Sequence, residues 1–333
     1  MAIEERARLR ARREPMRAQP TIAIVGAGYG GLTALGRLRR LLPHARLILV
    51  EPAEQHVERA RLHRALYGEP VAWQLDECLP AGVRWVRERA IEAHARCVRT
   101  AAGTLRADHV VVAAGARPRP SPRGAIPAWD LPGIRTIRAA LRDRRRVAVL
   151  GGGLTGLEIA CALATRCAGT VCRIELVHRG PRLLPDLPEP VRAAVERALQ
   201  RLHVDVRLNA DAPPPGALAI AATGTEPCAL PGEGALHVGD ADPGNRLRCA
   251  QIARLQGLRA AALVARACGV ETRPPEVVQL GQLIDLGAAG AAGWLAAGGM
   301  RVPLPAGAAA LGLRAVALRH HAFLRTLAFA GAA

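Results

Sequence analysis

Six glycines carry the chemistry most legible in this chain of 333 residues. Gly26, Gly28 and Gly31 stand in TIAIV-GAGYGG, and Gly151, Gly153 and Gly156 in VAVL-GGGLTGLE. Each triplet follows a short β-branched apolar run and precedes a small-residue stretch, the setting in which a strand turns into a helix beneath a pyrophosphate. Glycine is needed there for a tight turn, for backbone approach to the phosphates, and for close packing of helix on strand. The helix that follows offers free amides and the positive end of its dipole. After the first triplet, a strand over 47–50 ends in Glu51, at the spacing of a carboxylate that holds a ribose 2′-hydroxyl. After the second, a strand over 172–177 ends in His178 and Arg179, where an NADH-selective fold would carry an acid. A cation there suits the 2′-phosphate of NADPH, which predicts tolerance of NADPH.

The elements that position these residues repeat as well. An apolar strand over 109–113 runs into Ala114 and Gly115, and one over 217–222 runs into Gly224. Both entrance and exit of a nucleotide fold thus occur twice, which predicts two dinucleotides on two related domains.

Composition narrows the class. Half of the residues are hydrophobic, and no apolar stretch of transmembrane length is free of charge or glycine, so a chain outside the membrane core is expected. The first 19 residues, charged and without an apolar core, read as a leader rather than a secretory signal. The net charge of +18 invites nucleic acid, but all 46 basic residues are arginine, spread over every segment, and aromatic residues are scarce. No nucleic-acid partner is expected. Eight cysteines show no C-x-x-C and no zinc spacing, so no metal is expected and the chain reads as reduced and cytoplasmic. Cys167 and Cys172 are expected as two separate buried thiols.

With these motifs in order, the chain resembles the two-dinucleotide-binding flavoproteins of the pyridine nucleotide-disulfide oxidoreductase superfamily. A third motif, ALHVGDADPGNRLRCAQIARLQG, is similar to the family stretch whose aspartate touches the FAD ribityl chain, which implies that role for Asp240. The resemblance implies an α/β fold with two Rossmann-like domains, the first for FAD and the second, inserted in it, for NAD(P)H. The boundaries expected are 20–120 with 229–270 for FAD, 140–228 for a trimmed NAD(P)H domain, and 271–333 for a short C-terminal region. The paired cysteines of the disulfide reductases are missing from their usual places. EPAEQHVERARLHRAL, GGGLTGLEIA and CAQIARLQG look most like the type II NADH dehydrogenases and their relatives. That likeness implies Glu158 and Gln251 beside the flavin, with Leu255 where the relatives carry a second glutamine.

The resemblance implies hydride transfer from NAD(P)H to FAD and electron transfer to a quinone or other small acceptor. A biosynthetic or detoxifying flavin enzyme and a non-catalytic flavin sensor remain the alternatives. His56, Arg59, Arg61 and His63 could reach the flavin nucleotide, Arg61 being taken as a cofactor ligand, or could form a solvated polar helix. The last helix puts Arg314, His321 and Arg325 on one face, either as a basic stripe lying on a membrane surface or as the solvated side of a packed helix. A homodimer is compatible with all of this.

Overall fold

The computed structural model describes residues 19–143, 145–170 and 172–329, so the expected leader lies outside them save for Gln19. Two parallel sheets share one plan. The first runs Leu236–His237, His109–Val112, Thr21–Val25, Arg46–Val50, Arg84–Val86. The second runs Ile126–Pro127, Leu218–Ala221, Arg146–Leu150, Arg173–Val177, Val204–Arg207. Their central strands are unbroken apolar runs because both faces are covered, as parallel sheets require. Ile22, Ile24, Leu49 and Val111 in the first, and Val147, Val149, Leu176 and Ile220 in the second, are fully buried.

Six α-helices longer than two turns cover the sheets among the described residues: α1 (Tyr29–Leu41), α2 (Leu131–Ala140), α3 (Leu154–Arg166), α4 (Glu189–Arg201), α5 (Ala250–Ala267) and α6 (Ala306–Leu327). α1 and α5 lie backbone to backbone. A Cβ built on Gly257 would stand 2.4 Å from the Gly30 carbonyl oxygen, so only glycine lets α5 settle against the first glycine helix.

The second domain is inserted in the first. Ala116–Pro118 leads out, Thr225–Pro227 leads back, and the two pair antiparallel before Leu236–His237 completes the first sheet. The second sheet begins earlier than the boundary expected at residue 140, because Ile126–Pro127 pairs with Leu218–Ala221. A two-residue strand beside prolines leaves no periodic signal in the sequence. The trimming is visible as a difference: the first domain carries the antiparallel strands Ala90–His94, Cys97–Thr100 and Gly103–Arg106, whereas a loop over 208–217 fills that place in the second.

The C-terminal region is a strap across both domains. Its antiparallel strands Gly281–Asp285, Ala291–Ala297 and Met300–Pro303 put Ile284, Ala292 and Trp294 into the core of the second domain. α6 then returns to the first, burying Leu324 and Leu327 in its core, with Leu327 packed on Gly36. The expected face of α6 is divided: Arg314 and Arg325 are exposed, whereas His321 turns inward to bond Glu58 at 3.0 Å. Cys167 and Cys172 are not separate buried thiols either. Both are half-buried, and burial together with contact with Cys167 pushes Cys172 up to about 11.

Candidate functional site

The two glycine turns are built alike, atom for atom. Gly26 and Gly151 hold φ of 98° and 116°, and a Cβ on either would meet the carbonyl oxygen of Ala113 or Ala222 at 2.3 Å. A Cβ on Gly31 or Gly156 would stand 1.9 or 1.8 Å from the carbonyl oxygen of the first glycine in its own triplet. The middle residues, Gly28 and Gly153, are the N-caps of α1 and α3, have no side-chain cap, and open on their Cβ side to nothing within 4 Å. Free amides at an open helix start accept a phosphate without rearrangement. Ala114 packs beside the first turn, while Gly115 and Gly224, at φ of 74° and 94°, set the crossings between domains.

The residue at the end of the second strand ties each turn down. Glu51 accepts from the Ala27 amide at 2.9 Å with one oxygen and from the Ala53 amide at 2.9 Å with the other. His178 does the corresponding work in the second domain, its Nδ1 accepting from the Gly152 amide at 3.3 Å. Its neighbour Arg179 is exposed.

A third group shares the charge field of Arg59 with Glu51. Asp240 sits in the turn Gly239–Ala241, and its Oδ1 is buried with no hydrogen-bond partner. Burial pushes its carboxyl above the usual range, against the pull of Arg248 and Arg59. Gln256 fixes this turn, accepting from the Gly239 amide at 2.6 Å and donating to Asp242 at 3.0 Å. The ribityl hydroxyls of a flavin nucleotide would supply the donors that Asp240 lacks, so the residues fit that group.

The segment after Glu51 is the strand Gln55–Val57 and a 3₁₀ helix over Arg59–Tyr67, and it is not a solvated face. Arg61 is engaged by Glu58, Glu69 and His321, all within 3.2 Å. Arg59, by contrast, stacks 4.4 Å from the Trp129 ring and feels the charges of Asp130, Glu51 and Asp240. His56 bonds the Ala27 carbonyl at 2.8 Å and His320 of α6 at 3.1 Å. Because His56 donates through Nδ1 to that carbonyl, its Nε2 accepts and His320 donates. Burial, reinforced by His56, pulls His320 down to about 3.

Glu158 and Gln251 are held at opposite ends of one strand of the strap. Gln251 accepts from the Leu280 amide at 3.0 Å, and Glu158 from the Asp285 amide at 3.3 Å. Between Glu158 and Asp285 stands His63, 3.6 Å from the first and 3.0 Å from the second, with Arg64 bonding Asp285 at 2.5 Å. Burial pushes Glu158 up. Burial pushes Asp285 up too, but the hydrogen bond and charge of His63 outweigh it and hold Asp285 below the usual range. Two carboxyls pushed in opposite directions, with an imidazole in contact with both, can hold and pass a proton. Asp285 was legible only as a lone acid closing the apolar run QLID.

The profile of the pyridine nucleotide-disulphide oxidoreductases matches residues 20–214. The chain belongs to that family. Its fold is that of the two-dinucleotide-binding members, and its cofactors are FAD and NAD(P)H. Terpredoxin reductase of a Pseudomonas species is 30% identical over 189 residues, covering 49% of this chain and 42% of the relative. Demethylphylloquinone reductase of Synechocystis is 25% identical over 218 residues, covering 55% and 52%. The chain spans about half the length of these curated relatives. NDH2 of Plasmodium falciparum, solved with NADH, superposes with a TM-score of 0.74 at 12% identity, over 94% of this chain and 97% of that one, a likeness of fold.

Proposed function

We propose that this family member is an NAD(P)H oxidoreductase that takes hydride from NAD(P)H onto FAD and passes the electrons to a second acceptor. The observation that carries the reading is the buried, partnerless Oδ1 of Asp240 in a domain that also offers an open glycine turn, two features that a flavin nucleotide would satisfy. FAD when bound supplies hydride acceptance and electron storage. The protein supplies the rest. The amides at Gly28 and Gly153 hold the two pyrophosphates, Glu51 the ribose of the first nucleotide, Asp240 and Arg59 the flavin side, and Arg179 a 2′-phosphate. Glu158, His63 and Asp285 hold the proton that must accompany two-electron reduction of an organic acceptor. The His63 imidazole exchanges that proton with Glu158, while Asp285, paired with Arg64, stays an acceptor that orients the ring.

The acceptor is proposed as a small quinone. Leu255 lies half-buried on α5 two residues beyond Ala253, and the outer side of α6 exposes Leu311, Val316 and Leu318 among Arg314, Arg319 and Arg325. A basic face studded with apolar side chains suits the surface of an anionic membrane, where such acceptors partition. No helix among the described residues is long and apolar enough to cross a membrane. Peripheral contact on the cytoplasmic side is therefore proposed, with a dimer through this same face as its competitor. The name of the Pseudomonas relative favours a second reading, in which the acceptor is a small redox protein.

Anaerobic addition of NADH, and separately of NADPH, to the yellow protein should bleach the flavin band. A protein that binds FAD but bleaches with neither is a sensor, and the oxidoreductase reading fails. Reoxidation by a short-chain quinone, faster in Leu255→Gln than in the wild type, would favour the quinone over the redox protein.

A further inference from the structure

The end of the first sheet remote from the glycine turn carries a second concave site. Its cavity of about 640 Å³ is lined by Arg39, His44, Arg46, Arg84 and Arg106, with Gly82 at its wall. The topology gathers them: Arg46 and Arg84 open the strands Arg46–Val50 and Arg84–Val86, Arg106 closes Gly103–Arg106, and Arg39 sits in the last turn of α1. A five-residue strand rising roughly 3.3 Å per residue puts this edge about 16 Å from the first glycine turn.

Arginines are common in a chain that has no lysine, and surface arginines alone would mean nothing. Arg39 is different. It is only 7% exposed, its Nη1 donates to the Pro43 and Ala45 carbonyls at 2.8 and 3.1 Å, and its Nε is buried with no partner. A buried guanidinium N–H without an acceptor is costly and rare, so it marks a ligand position. The side chains of Arg46, Arg84 and Arg106 form no ion pair or hydrogen bond with any described residue. Among the described residues no acid lines the cavity, and Asp108, which accepts from the amide of the lining residue Thr21 at 2.8 Å, lies outside it.

We infer that this edge of the first domain is a second binding site, distinct from both dinucleotide sites, for a soluble ligand bearing two or more phosphates, such as a nucleoside diphosphate. Four guanidinium groups around one cavity match a charge of that size, and each fork can take two phosphate oxygens at once. The volume falls within the range of small-molecule sites rather than of single-ion sites. A ligand on this edge is on the wrong side of the sheet to exchange hydride, so its role is that of an effector.

The test uses the FAD-loaded protein saturated with NAD⁺, so that both glycine turns are filled, and titrates pyrophosphate by calorimetry. Saturable binding is expected, weakened at least tenfold in the double variant Arg46→Gln/Arg84→Gln. Those two residues are exposed and free of structural bonds, so the variant folds. Arg39→Met is less useful because Arg39 also holds the end of α1. A control of equal charge change, Arg197→Gln/Arg273→Gln, should stay within twofold of the wild type. ADP should compete with pyrophosphate, and inorganic phosphate should compete more weakly. Absence of saturable heat, or an equal loss in the control, would overturn the site by showing only general attraction of anions to a basic protein. Displacement of pyrophosphate by phosphatidic acid vesicles but not by ADP would overturn the soluble ligand in favour of a lipid headgroup.

Discussion

The two glycine turns share their backbone to within tenths of an ångström in the contacts that forbid side chains, yet the groups around them differ. Around the first stand a carboxylate on the loop amide, a stacked arginine that feels both that carboxylate and the buried, unpartnered Asp240, and a chain of two histidines running from the Ala27 carbonyl to α6. Around the second stand one imidazole at 3.3 Å and an exposed arginine. The turn geometry is thus common property of the device, while the number and burial of its neighbours set how long a nucleotide stays. Many buried contacts suit a cofactor that is kept, and few exposed ones suit a coenzyme that exchanges.

Alanine at the third glycines should break the comparison most sharply. Gly31→Ala and Gly156→Ala both force a Cβ into a backbone oxygen, a strain of about 3 kcal/mol, yet with separate outcomes. Gly31→Ala should yield flavin-free protein, whereas Gly156→Ala should stay yellow and fail to bleach with NAD(P)H. Loss of flavin in both would show that the domains do not act independently.

The strand-end residues give a smaller contrast. Glu51→Ala should weaken flavin retention, read by equilibrium dialysis, by about 1–3 kcal/mol, the range for hydrogen bonds to a charged group. His178→Ala should cost only about 0.5–1.5 kcal/mol of coenzyme affinity, since its bond is neutral. Equal losses would mean that charge on the acceptor is irrelevant to the turn.

Arg179→Ala should lower kcat/KM for NADPH by roughly 1 kcal/mol more than for NADH, an exposed charge being partly screened. The discrimination should shrink as salt is raised.

The histidine chain should leave the neutral-pH comparison untouched and appear only in acid. His320 is held near 3 by burial, well below the ordinary histidine value of about 6.5, so the unfolded chain binds the proton more readily than the native one. Its contribution to stability is complete above pH 6.5 and declines as the pH falls towards 3. Thermal unfolding of the wild type should drop by a few degrees across that window, and the drop should be shallower in His320→Gln. Parallel curves would remove His320 as its cause.

Much of this molecule was legible because its logic is local. Both turns, their strands, Glu51 and the order of the domains follow from glycine spacing and apolar runs, which are short-range signals. What the sequence hid lies in pairings across the chain. Arg61 and Arg59 differ only in which way the 3₁₀ helix faces them, and that is decided by Glu58, Glu69 and a histidine 260 residues away. Asp285 gains its meaning only when the strap brings it to His63. His321 looked like part of a solvated stripe by its spacing from Arg314 and Arg325, but the partner that draws it inward, Glu58, is equally distant in sequence. Gln256, next to Leu255, secures the loop that carries Asp240, a role visible only in the folded chain.

The strap also sets an order of events during synthesis. Domains fold broadly as the chain leaves the ribosome, but the first domain cannot close its sheet until Leu236–His237 has been made, by which time the whole second domain is out. The second domain can therefore form early, whereas the first waits, its strand His109–Val112 offering an unpaired edge to any neighbour. α6 follows the strands of the strap and brings Leu324 and Leu327 to a core that is otherwise open beside Gly36. A ribosome stalled before α6 would hold a nascent chain with a finished coenzyme domain and an unsealed flavin domain, the form on which chaperones and proteases would act.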